Sequence, residues 1–140
     1  MKVQVIRSNR KTIGLEVRAD ESVILRAPAV DEISDVEWKS ILGEFTERVN
    51  HFFKIMEVTV GRITIRNQKT RWGSCSSKGN VNFNYQLYYM PRELMDYVII
   101  HELSHRRHMN HSAEFWQEVE KYCKTYRECR KKLRDYEIAP

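Results

Sequence analysis

Residues 101–105 read His-Glu-Leu-Ser-His, an HExxH motif preceded by the apolar run Tyr97-Val98-Ile99-Ile100. On a helix, His101 and His105 are i and i+4 and stand one turn apart on one face. Two imidazoles so placed can bind one metal ion, with Glu102 beside them as general base. Neutral imidazole suits zinc, and a catalytic zinc site takes three protein ligands and leaves a position for water. The motif supplies two ligands, so a third must come from elsewhere. Four of the five histidines fall within the eleven residues 101–111. That crowding, next to an apolar run, argues against histidines that are merely solvated or capping.

His108 and His111 are the candidates. His108 continues the same helical face at i+7. On a straight helix it stands about 10.5 Å from His101 along the axis, at ~1.5 Å per residue, so three such side chains converge poorly on one ion. His111 follows Met109-Asn110 and precedes Ser112, a good N-cap for a further helix. A turn over 108–111 brings His111 back toward the metal, and Asn110 accepts the left-handed conformation such a turn can need. His111 is therefore the expected third ligand. The HExxHxxxxxH spacing is also that of the metzincin motif, with His108 standing where that motif carries a turn glycine.

The chain that must position these residues has 140 of them and a net charge of +5. This length fits one domain, 1–140, with enough burial for a core without disulfides. The charge permits an acidic or nucleic-acid partner without requiring one. No apolar run approaches the ~20 residues that span a bilayer, and the N-terminus lacks the apolar centre of a signal peptide. The expected location is the cytoplasm. Cys75, Cys123 and Cys129 form no CxxC pair, which points to free thiols rather than a disulfide framework or a second zinc site.

Alternation at period two over residues 2–27 predicts a three-stranded antiparallel meander. Its turns are expected at Ser8-Asn9-Arg10 and Ala19-Asp20-Glu21-Ser22, and Pro28 ends it. Ser34-Asp35-Val36-Glu37 has the form of a capping box. It opens a long helix whose Trp38, Ile41, Leu42, Phe45, Val49, Phe52, Phe53 and Met56 make a core stripe. A strand follows at about 62–67. Residues 71–75, a turn at Ser76-Ser77-Lys78-Gly79 and a returning strand at 80–87 predict a β-hairpin. Asn82 and Asn84 interrupt that strand. Pro91 suits the first turn of the helix carrying HExxH, and Leu94, Val98, His101 and His105 share its inward stripe. Ser112 opens a C-terminal helical region, expected as two helices with a break near Lys124-Thr125. Arg127, Arg130, Lys131, Lys132 and Arg134 crowd the second of these, a solvated face or an electrostatic dock for nucleic acid. The fold class is α+β.

WGSC at 72–75, Asn84, Asp96-Tyr97-Val98 leading into HELSH, and Asn110-His111-Ser112 followed by Phe115-Trp116 resemble the YgjP-like metallopeptidases. The chain is similar, more distantly, to the SprT-like zinc proteases. The resemblance implies a zincin-type fold, one Zn2+ held by His101, His105 and His111, and Glu102 as general base of peptide hydrolysis. In zincins the substrate lies along an edge strand beside the active helix, where backbone bonds and alternate pockets read it; strand 80–87 is the expected edge. An oxyanion donor is also expected, from among His108, Tyr85, Tyr97 and Arg71. Cys75 and Asn84 are further candidates for support of the site or contact with substrate. The alternative is a metal-containing module that binds nucleic acid or protein, with weak or latent proteolysis, or a DNA-associated protease. The sequence favours the hydrolase, because a purely structural metal site has no need of Glu102.

Overall fold

The computed structural model describes residues 3–8, 15–17, 23–68 and 70–137. The expected turns at 9–10 and 19–22 lie outside these residues. Three N-terminal strands form, β1 (Val3–Ser8), β2 (Leu15–Val17) and β3 (Val23–Pro28). They do not make an antiparallel meander. β1 pairs with β3 in parallel, and only β2–β3 is antiparallel. Alternation reports which residues share a face and is silent on the direction of a neighbour. The sheet order is β2-β3-β1-β7, where β7 (Tyr136–Glu137), a strand the sequence did not announce, joins from the far end of the chain.

Helix α1 (Asp35–Met56) begins where the capping pattern placed it, with Ser34 Oγ accepting from the Glu37 amide at 3.1 Å. The Glu37 carboxylate accepts the Tyr89 hydroxyl at 2.6 Å. Ile41, Phe45, Val49, Phe52 and Met56 are buried along its inner face, while Leu42, counted in the expected stripe, is exposed.

β4 (Ile63–Arg66), β5 (Gly73–Cys75) and β6 (Val81–Asn84) form a second sheet in the order β4-β6-β5. β5 and β6 make the expected hairpin, Gly73 opposite Phe83, and β4 adds in parallel on the other side of β6. β6 is therefore central, not the edge; the edge strand against the HExxH helix is β5. The backbone after Asn84 tightens into a 3-10 turn, Tyr85–Tyr89, so the strand is shorter than 80–87.

α2 (Arg92–Ser104) follows, with Pro91 just before it. Leu94, Ile99, Ile100 and Leu103 are essentially inaccessible to solvent and face a core shared with Phe45 and Phe83. The C-terminal region divides as expected into α3 (Ala113–Tyr122) and α4 (Tyr126–Asp135), with the break at 123–125. Among the described residues no helix is long and apolar enough to cross a membrane.

Candidate metal centre

α2 ends at Ser104 and His105 is its C-cap. A tight turn follows, with the amides of Arg107 and His108 both reaching the Ser104 carbonyl. The chain then reverses, and Ser112 caps α3 by accepting from the Phe115 amide at 3.3 Å. This reversal delivers His111 to the face of α2 that carries His101 and His105. One ligand atom from each of these three histidines lies within 4.8 Å of the others. The Nε2 atoms of His105 and His111 are 3.2 Å apart.

The outer nitrogens of the two helical histidines are held. His105 Nδ1 lies 3.0 Å from the His108 carbonyl oxygen. Since a carbonyl can only accept, this contact puts the ring proton on Nδ1 and leaves Nε2 free as a donor to a metal. His101 Nδ1 is 3.3 Å from the Tyr97 hydroxyl, which likewise turns its Nε2 inward. Burial, then the neighbouring His105 and His111, pushes His101 down to about 3, so its ring is neutral at any working pH. Phe115 supports the cluster, its ring centroid 5.0, 4.5 and 5.0 Å from those of His101, His105 and His111. Three converging imidazoles, two of them with anchored outer nitrogens, are a donor set that fits a divalent transition metal.

Glu102 is 7% exposed. Burial pushes its carboxyl up to about 8, against a downward pull from the Arg71 guanidinium. No side chain or amide among the described residues hydrogen-bonds it. It borders a cavity of about 310 Å³ together with His101, His105, His111, Arg71 and the strand β5. Gly73 makes this proximity possible: a Cβ there would stand 3.0 Å from Glu102 Cγ and 3.0 Å from Val98 Cγ1. The glycine of WGSC is thus the residue that lets the edge strand lie against the helix.

The remaining sequence candidates divide. Arg71 and Cys75 border the same cavity, as do Ser74 and Met109, which the motif did not single out. Burial raises the Cys75 thiol, which keeps it protonated and a poor nucleophile. Burial likewise raises Tyr97 well above the usual phenol range. His108 serves through its backbone carbonyl. Asn84 is fully buried and has no path to a substrate; its amide donates to the Gln68 and Arg71 carbonyls at 2.9 and 3.2 Å and so fixes the segment bearing Arg71. Tyr85 is turned away, its hydroxyl on the Pro28 carbonyl at 2.9 Å, and is no oxyanion donor.

The reversal itself is moored. Arg106 donates to the Thr59 and Ser77 carbonyls at 2.8 and 3.2 Å, and Arg107 to those of Met56 and Glu57 at 2.9 and 3.1 Å. Met56 is the last residue of α1, so Arg107 also satisfies carbonyls at that helix terminus. Sequence reading missed both arginines, since nothing in their spacing names a carbonyl fifty residues away.

What this fold and this group of side chains define is a metallopeptidase. The same fold occurs in the metallopeptidase zymogen abylysin of Pyrococcus abyssi, at 24% identity and TM-score 0.56, over 67% of this chain and 98% of that one. It occurs also in the metallopeptidase zymogen jannalysin of Methanocaldococcus jannaschii, at 25% identity and TM-score 0.57, over 64% and 92%. The chain belongs to the YgjP-like metallopeptidase domain family, whose model matches residues 29–136. No curated protein gives a significant match.

Proposed function

We propose that the protein is a zinc-dependent peptidase, folded as one domain over 1–140, in which His101, His105 and His111 hold one Zn2+ and Glu102 is the general base. The observation that carries this reading is the meeting of three imidazoles with a buried carboxylate that, among the described residues, accepts no hydrogen bond. Zinc, when bound, supplies Lewis acidity and lowers the pKa of water from 15.7 to about 7. Glu102 takes the proton from the attacking water and hands it to the leaving amine. Its raised pKa suits that return, and the Arg71 guanidinium draws it back toward the range where it can accept. β5, the edge strand bordering the cavity, offers its free backbone groups to an extended substrate, which would lie along Gly73–Cys75. Arg71 is the donor favoured for the developing oxyanion, since its guanidinium borders the same cavity.

Metal content measured on wild type, His111→Ala and His108→Ala tests the ligand set. About one zinc per chain is expected in wild type and His108→Ala, with loss in His111→Ala. No zinc taken up by wild type from a zinc-containing buffer would remove the proposal.

A further inference from the structure

A second cavity, about 260 Å³, opens between β5, α2 and α4 and shares His101, Glu102 and Arg71 with the first. Trp72, Tyr97, Val98 and Leu133 give it a mainly apolar wall with room for one leucine- or phenylalanine-sized side chain. Arg71 stands at its β5 side. On the α4 side Arg130 lies one turn before Leu133, its guanidinium carbon 4.7 Å from the centroid of the Trp116 ring, which is itself 5.6 Å from the His101 ring. Its charge is felt at both Tyr97 and His101. Among the described residues neither Arg71 nor Arg130 makes a close ion pair, although Arg71 acts on the Glu102 carboxyl across the cavity, whereas Arg48, Arg92 and Arg107 are ion-paired to Asp96, Glu44 and Glu118. One guanidinium, that of Arg71, lines this apolar recess beside the reaction centre, and a second, that of Arg130, stands one helical turn from its Leu133 wall.

We propose that this cavity selects the substrate: it takes a bulky apolar side chain of the peptide, and Arg71 and Arg130 bind a carboxylate adjoining that residue. The inference rests on the peptidase reading and names its substrate class. The stacking of Arg130 on Trp116 holds the guanidinium in place before a ligand arrives, so little rotamer freedom is lost on binding. An exposed ion pair alone is worth little. At the edge of an apolar wall the same pair is screened less and gains more. The carboxylate can come from an Asp or Glu side chain or from a free C-terminus; the chemistry at the guanidiniums is the same.

Two matched peptide pairs separate these sources. One pair carries Leu-Asp or Leu-Asn internally, and the other ends in Leu as the free acid or the amide. Binding is read by fluorescence anisotropy on Glu102→Gln protein supplied with zinc, and cleavage by kcat/KM on wild type. About fivefold or greater preference for the acid is expected in at least one pair, shrinking at high salt. The acid-to-neutral ratio should collapse toward one in Arg130→Gln and in Arg71→Gln. Because the ratio is taken within each variant, a general loss of activity or affinity cancels. Equal affinity within both pairs, or a preference that survives both arginine variants, would overturn the inference. A binding preference without cleavage by wild type would overturn the peptidase reading and leave the subsite standing. Cleavage without a preference would do the reverse.

Discussion

Two buried glutamates lie close in the sequence and differ in everything but burial. Glu118 on α3 is 5% exposed and Glu102 on α2 is 7% exposed. Glu118 is met by Arg107 at 3.5 Å and Lys121 at 3.3 Å. The Glu102 carboxylate is met by no hydrogen bond among the described residues, and only the charge of Arg71 acts on it from a distance. A buried carboxylate without partners costs folding energy, and a fold that carries one beside three imidazoles has put that cost where chemistry can use it. Glu118 spends its charge on cohesion, tying α3 to the turn that leads into it.

The sharpest way to break this contrast is to remove each charge in turn. Glu102→Gln should keep its metal and lose roughly 10²–10⁴-fold in kcat; undiminished turnover on any peptide the wild type cleaves would reduce Glu102 to a packing residue. His111→Ala should release the metal altogether, with activity falling to background and read alongside zinc content. The next effect is one of stability in metal-free protein. Glu102 has a folded pKa of about 8, above its usual value, so folding favours the protonated acid. Its contribution is intact below about 4.5 and is lost as pH rises through about 8. Chelator-treated Glu102→Gln should therefore exceed chelator-treated wild type in denaturant stability at pH 9, by on the order of 2–4 kcal/mol, with the gap closing at pH 4. Tyr97→Phe should weaken zinc affinity about tenfold by freeing the outer nitrogen of His101. Glu118→Gln should show the smallest change, about 1 kcal/mol of stability, with kcat on a good substrate unaltered.

The sequence was most legible where the chemistry is local. The HExxH helix, the Ser34 and Ser112 caps and the two-helix ending all follow from spacing within a dozen residues, and each has its counterpart in the fold; the turn expected to bring His111 toward His101 and His105 is there too. Pairing direction was not legible. β1 and β3 pair in parallel and β6 is central because strands separated in the chain meet through tertiary packing, which alternation does not encode. The identity of the edge strand suffered for the same reason, although Gly73 held a usable signal: a glycine inside a strand marks a close approach of something else. Asn84 and His108 were both candidates for contact with substrate or support of the site, with an Asn side chain more often satisfying local backbone groups. One turned out to brace a loop, and the other to offer its carbonyl, a role that no residue type advertises.

The mooring of the turn after α2 bears on how the site would exchange its ion. Four distant carbonyls grip Arg106 and Arg107, so the segment bringing His111 round is ordered when the chain folds, not when the metal arrives. The entropy of arranging the ligands is then settled in advance. Such a protein should take up metal as a socket does, without a folding step, and the abundance of free metal in its surroundings would set how much of it is loaded.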